Sequence, residues 1–202
     1  MQCCKITVFF ICATSVITCQ NDLLVSEQEG IVLSRLLHER RRRIFAQRIG
    51  VGSDEPPIAL LDRLVERAAN AFGSDMAAIS IIEGKYQWFR TSIGVGDGDS
   101  PMARSDSFCT HTIKSPDVME VVNPNDDPRF AQSCLVRAGM RLKYYIGAPL
   151  ILTDGLAVGA LCVLDCKPHS AASADQRAYL AALARQAANE IEIMSFSRLV
   201  NI

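Results

Sequence analysis

Aromatic residues make up only 6% of this 202-residue chain, with a single tryptophan, and histidine occurs three times. Three imidazoles leave few candidates for a general base, and no Ser/His/Asp order or paired-carboxylate motif stands out, so no catalytic residues are assigned. None of the eight cysteines (3, 4, 12, 19, 109, 134, 162 and 166) is set in a C-x-x-C pair. The chain is neither short nor cysteine-dense, which argues against a disulfide-stapled secreted fold. The spacing also fits no closed zinc site, so no metal is expected. The globular cysteines read as reduced thiols in a cytoplasmic compartment. An excess of positive charge is missing too: the formal net charge is −1. Residues 1–49 carry +3 and the remainder −4, and an acidic globular part is a poor partner for nucleic acid. No apolar run reaches the ~20 residues that a membrane-spanning helix needs.

What is present is globular: hydrophobic residues are 49% and charged residues 21% of the total. Residues 1–25 form an apolar leader around Ile6 to Ile17, read first as an untethered extension, with a membrane-associated leader and an export signal as alternatives. Residues 26–56 read as a basic amphipathic helix and linker. Ile31, Leu33, Leu36, Leu37, Ile44 and Phe45 recur near helical spacing, and Arg40 to Arg43 form a basic run. That run reads as a solvated face, with lipid contact through residues 1–43 as the alternative.

The globular part spans 57–195, with a tail at 196–202. Pro56 and Pro57, capped by Ser53 or Asp54, open a helix with Leu60, Leu61, Leu64, Val65, Ala68 and Phe72 on one side, stopped at Gly73. Ala77 to Ile82 and Tyr86 to Ile93 read as paired strands, and Gly94 to Pro101 as a loop. Further elements are a short helix over 105–115, a strand over 118–122 and a helix from Asp127-Pro128 to Ala138. Strands over 143–152 and 157–165 flank the hairpin signal Asp154-Gly155. A final helix follows the capping box of Ser173 and Gln176, with Leu180, Leu183, Ala184, Ala187, Ile191 and Met194 on one face. Hairpin-joined strands with helices between the pairs predict an α+β fold with a mainly antiparallel sheet.

Six segments occur in a telling order: Ala78-Ile79-Ser80-Ile81-Ile82, then Gln87-Trp88-Phe89, then Ser107-Phe108-Cys109-Thr110-His111-Thr112-Ile113. Asp127-Pro128-Arg129-Phe130, Tyr145-Ile146-Gly147-Ala148-Pro149-Leu150 and Gly159-Ala160-Leu161-Cys162-Val163-Leu164-Asp165 complete the set. Together, over 57–195, they resemble the GAF domains of bacterial sensor histidine kinases and diguanylate cyclases. The chain departs from that pattern at Asn123, where Asp is usual, and at Lys167-Pro168-His169, which replaces Pro-Arg. The resemblance implies a central antiparallel sheet of five to six strands flanked by helices on both sides. It also implies an unidentified small-molecule ligand on one sheet face and homodimerisation through the flanking helices. No kinase or cyclase segment follows residue 195, so a kinase or cyclase output partner acting in trans is expected.

Candidate ligand-binding residues are Phe108, Cys109, His111, Arg129, Phe130, Tyr145 and Cys162. Cys109 and His111 form a thiol–imidazole pair two residues apart. The flanks do not match the bilin-attachment pattern, and the Asn-Lys-Phe-Asp-Glu motif of cyclic-nucleotide GAF domains is absent. Asp127 and Arg129 read as an N-cap and ion pair, or else Arg129 is a guanidinium clamp for an anionic ligand. Tyr144 and Trp88 read as core. The function expected is a sensory binding module rather than an enzyme. The alternatives are a thiol redox switch, or an enzyme resembling methionine sulfoxide reductase, centred on Cys109, and a ligand-free dimerisation scaffold.

Overall fold

A computed structural model describes residues 27–50, 58–95 and 101–200. The apolar leader, the Pro56-Pro57 helix start with its proposed caps, and most of the glycine loop lie outside the described residues. The chain order is α1 (Glu27–Arg48), α2 (Ala59–Phe72), β1 (Met76–Glu83), β2 (Tyr86–Ile93), β3 (Met102–Ala103), a 3₁₀ turn (Arg104–Asp106), α3 (Cys109–Thr112), β4 (Met119–Val121), α4 (Cys134–Arg137), β5 (Tyr144–Ile151), β6 (Ala157–Asp165) and α5 (Ala174–Val200).

Six strands form one sheet in the order β3-β2-β1-β6-β5-β4, every pair antiparallel. The period-two alternation of strands sorts each one onto two faces. Ala77, Ile79 and Ile81 of β1, Ile146, Ala148 and Leu150 of β5, and Leu161 and Val163 of β6 point one way. There they meet α2 (Leu61, Leu64, Val65, Ala68), α5 (Leu180, Leu183, Ala184, Ala187, Ile191) and the end of α1 (Phe45, Ala46). Ala78, Ile82, Tyr145, Ala160, Cys162 and Leu164 point the other way, toward the 101–142 segment. The α+β architecture, with helices on both sides of an antiparallel sheet, is as expected.

Several local expectations hold for the reasons given. Gly73 closes α2, and the next N–H, that of Ser74, bonds back to the Ala69 carbonyl at 3.1 Å. Ser173 and Gln176 form the reciprocal capping box at 3.0 and 3.1 Å. The β5–β6 turn is closed by Leu152 N–H to the Leu156 carbonyl at 3.0 Å, with Gly155 at φ 81. A left-handed residue ending a three-residue hairpin loop favours glycine. In the middle of the sheet, Gly159 lies against the Ser80 backbone, where any Cβ would overlap the Ser80 carbonyl oxygen.

Four expectations are corrected. The 127–138 helix is a turn followed by the four-residue α4. The Asp127 carbonyl accepts from Phe130 and Ala131, but Ser133 leaves helical conformation (ψ 142) and its hydroxyl caps the Leu135 N–H at 3.3 Å. A short side chain that competes for backbone donors restarts the chain there. The 105–115 helix shrinks likewise to α3, because extended Ser107 accepts the Thr110 N–H at 3.0 Å. β3 was not anticipated. In α1, Leu33, Leu36, Leu37 and Ile44 are exposed, and only Phe45 of the expected stripe is buried among the residues whose side chains are described. The basic run is not wholly solvated: Arg42 is buried, donating to the Ala157 carbonyl at 2.7 Å and pairing with Glu39. Among the described residues, no helix is long and apolar enough to cross a membrane.

Candidate functional site

Among the described residues, the face of the sheet turned away from the long helices is covered by short turns, α3 and α4. These segments are too brief to fill it. A cavity of about 190 Å³ remains, lined by Gln87, Phe89, Val95, Met102, Phe108, Cys109, Leu135, Met140, Tyr145, Cys162 and Leu164. β2 supplies the first two, β5 supplies Tyr145, and β6 supplies Cys162 and Leu164. The lining is apolar apart from one amide, one phenol and two thiols. Larger clefts of about 450 and 620 Å³ lie beside α1, but arginine, lysine and glutamate line them and no thiol reaches them.

One wall of the cavity is a continuous polar chain. Tyr145 Oη lies 2.7 Å from Thr112 Oγ1 and donates to Cys109 Sγ at 3.4 Å. Cys109 Sγ is 3.7 Å from Cys162 Sγ, and the Cys162 thiol donates to the Ala78 carbonyl at 3.5 Å. Gly147 makes this path available: a Cβ there would overlap the Tyr145 phenol. The hydrogen bond between the two thiols brings Cys109 below its ordinary range; burial opposes this, and Ser80 and Tyr145 reinforce it. The shared proton and burial hold Cys162 well above that range, and burial followed by the nearby sulfurs does the same to Tyr145. Gln87 is fixed separately by the Ser107 hydroxyl.

Of the seven candidate residues, Phe108, Cys109, Tyr145 and Cys162 line the cavity together. Phe130 lies one layer back, stacked on Phe108 with ring centroids 3.9 Å apart and planes 9° apart. His111 abuts the edge of Phe130 at 4.8 Å and does not reach the lining. Burial, Lys114 and Arg129 lower its pKa from the usual 6.5. Arg129 is at the surface: its Nη2 meets Asp127 Oδ2 at 2.6 Å, its Nε meets Oδ1 at 3.0 Å, and its guanidinium lies 4.9 Å over Phe130. Hydrogen bonds from Arg129 hold the Asp127 carboxyl below its ordinary range. The arginine is thus committed to its neighbour two residues back and stands outside the cavity. Lining residues absent from the candidates are Gln87, Phe89, Val95, Met102, Leu135, Met140 and Leu164. Leu164 shares strand parity with Cys162, which is a readable signal. Leu135 and Met140 come into place through the Leu142 N–H to Leu135 carbonyl bond of an irregular segment, which carries no periodic signal.

The positions that depart from the resemblance are occupied by local pairs. Asn123 donates to Asp126 at 2.6 Å. His169 bonds Asp165 at 2.8 Å and stacks on Tyr144 at 4.5 Å. Cys134 and Cys166 are exposed and sit apart from the buried thiols. Among the described residues, no three His, Cys, Asp or Glu side chains converge as a metal site.

The curled six-stranded sheet, the helix order and the cavity on one face agree with one family model, that of the GAF domain, which matches residues 56–191. The chain belongs to the GAF domain family. A cyclic di-GMP phosphodiesterase of Pseudomonas aeruginosa is 36% identical over 134 residues, 65% of this chain and 22% of that protein. The chain therefore spans about a fifth of that relative. Among solved structures, the GAF domain of an Acinetobacter phosphoenolpyruvate-protein phosphotransferase superposes with a TM-score of 0.57 at 19% identity, covering 84% of this chain and 98% of that one. A type II free methionine-R-sulfoxide reductase from Thermoplasma acidophilum superposes at 0.55 and 12% identity, covering 78% and 96%. These likenesses establish a GAF fold, and the family places the chain among sensory and signalling domains.

Proposed function

We propose that this GAF domain binds a compact, largely apolar small molecule in the cavity beside Cys109 and signals through α1 and α5 of a homodimer. The observation that carries this reading is the unfilled cavity itself. Protein interiors are close-packed, and a cavity only slightly larger than one that accepts benzene (~150 Å³) suits a ring-sized ligand. Gln87 and Tyr145 supply the few polar contacts that would orient it. Dimerisation is supported by exposed apolar side chains on both helices: Leu33, Leu36 and Leu37 on α1, and Ile193 and Phe196 on α5. Signalling requires that the ligand favour one helix arrangement over another. The phosphodiesterase relative and the resemblance to sensor proteins point to a cyclic-dinucleotide or kinase partner in trans as the output.

Native mass spectrometry of the full chain purified from cells tests both parts. The expected result is a dimer that carries a discrete small-molecule mass, lost on Leu135→Trp, which fills the cavity. The dimer should dissociate on Leu36→Glu. A chain that flies bare and monomeric at micromolar concentration overturns the reading and leaves a fold without sensory load.

A further inference from the structure

The buried thiol pair has a capability that small-molecule binding does not use. We propose that Cys109 and Cys162 form a reversible disulfide when a small hydroperoxide enters the cavity, so that the pocket is also an oxidation site. Both sulfurs line the cavity although their residues are only 2% and 1% exposed, so the cavity is their route to a reagent. Their separation is 3.7 Å, and a disulfide needs about 2.04 Å, a closure of roughly 1.7 Å. Cys162 lies in the middle of β6, paired on both sides by β1 and β5. Cys109 opens the four-residue α3, where the Ser107 hydroxyl accepts the Thr110 N–H at 3.0 Å. The closure therefore falls on α3, while the strand stays in place.

The roles follow from the hydrogen bonds. Cys109 receives the Tyr145 hydroxyl and faces the second thiol, so it is the better-stabilised thiolate and the nucleophile. Its sulfur attacks one peroxide oxygen. The S–O bond forms, the O–O bond breaks, and the alcohol (or water) leaves with the proton, giving a sulfenic acid. Cys162 sulfur then attacks Cys109 sulfur, the S–O bond breaks, and water leaves with the Cys162 proton. Two electrons pass from the two thiols to one peroxide. The exposed Cys134 and Cys166 provide an internal contrast, since neither belongs to the buried pair.

This inference rests on the same cavity as the ligand reading but not on any ligand being found there. The experiment uses the full chain with Cys166→Ser, so that the tryptic peptide from 144 to 177 keeps a single cysteine. Reduced protein is treated with tert-butyl hydroperoxide, alkylated, digested and mapped by mass. The expected product joins that peptide to the one spanning 105–114, with a loss of two hydrogens that dithiothreitol reverses. With Cys162→Ser added, Cys109 should instead proceed to sulfinic acid. Tyr145→Phe should slow the coupling several-fold and move the pH profile of Cys109 oxidation upward, which a purely packing role for the ring would not do. The proposal is overturned if Cys109 and Cys162 remain separately alkylatable after peroxide treatment. It is also overturned if oxidation is confined to Cys134 and the cysteines of residues 1–25. Because the first readout needs no core variant, misfolding of a mutant does not obscure it. A negative result there leaves the ligand reading standing, and an empty native mass spectrum leaves this one standing.

Discussion

The two faces of the sheet are made by alternate residues of the same strands, yet they are built differently. The face toward α1, α2 and α5 is aliphatic and closed: long helices with small and branched residues at helical spacing interlock with Ile79, Ile146, Leu161 and Val163. The face toward residues 101–142 carries rings, thiols and hydroxyls, and its cover consists of turns and four-residue helices. Long periodic elements fill space efficiently. Short irregular ones are directed by individual hydrogen bonds and leave room. One face thus maintains the fold, and the other has spare volume and chemistry.

The largest expected effect comes at the β1–β6 pairing in the middle of the sheet. Gly159→Ala drives a Cβ into the Ser80 backbone, which cannot yield as a side-chain tip could. Chemical denaturation followed by circular dichroism should show a loss above about 4 kcal/mol or no folded protein. A direct test of the contrast is a pair of truncations three residues apart on β6. Leu161→Ala, on the closed face, should cost about 3–4 kcal/mol, in the upper part of the usual range. Leu164→Ala, already bordering empty space, should cost about 1–2 kcal/mol while enlarging the cavity. Equal losses would break the comparison and show that the covered face is packed as firmly as the other.

The smallest effect is electrostatic. Burial and the cations Lys114 and Arg129 depress the folded-state pKa of His111 below its ordinary 6.5. Below that ordinary value the unfolded chain takes up a proton before the folded one does, so stability falls as pH drops from 6.5 toward the depressed folded value. Melting temperatures between pH 7 and about pH 5 should decline for the native chain and decline less for His111→Gln. An unchanged slope would show that the imidazole against Phe130 titrates freely.

The fold was legible wherever the signal is local. The apolar runs of β1, β5 and β6, the Asp154-Gly155 turn between the last two, and the Ser173–Gln176 box each specify geometry within a few residues. The 101–142 cover was not legible to the same degree. There Ser107, Asp127 and Ser133 redirect the backbone through their own side chains, and the Phe108–Phe130 stack sets positions across more than twenty residues of chain. The site divides in the same way. Phe108, Cys109, Tyr145 and Cys162 were readable from motif segments, and three of the four sit on or beside α3 and β6. Gln87, Leu135 and Met140 required the register of β2 and the path of the irregular segment. Arg129 and His111 have chemistry suited to a ligand, but neighbours within the same segment engage them first.

The hairpin turn after β5 has a mechanical role that its residues do not announce. Asp154 pairs with Arg41, and the Ala157 carbonyl accepts from Arg42, so α1 is tied there. The backbone and hydroxyl of Thr153 bond Glu192 at 3.1 and 2.7 Å, so α5 is tied there as well. The turn is continuous with β6, the strand that bears Cys162. One short turn thus fastens both α1 and α5 to the strand that bears Cys162.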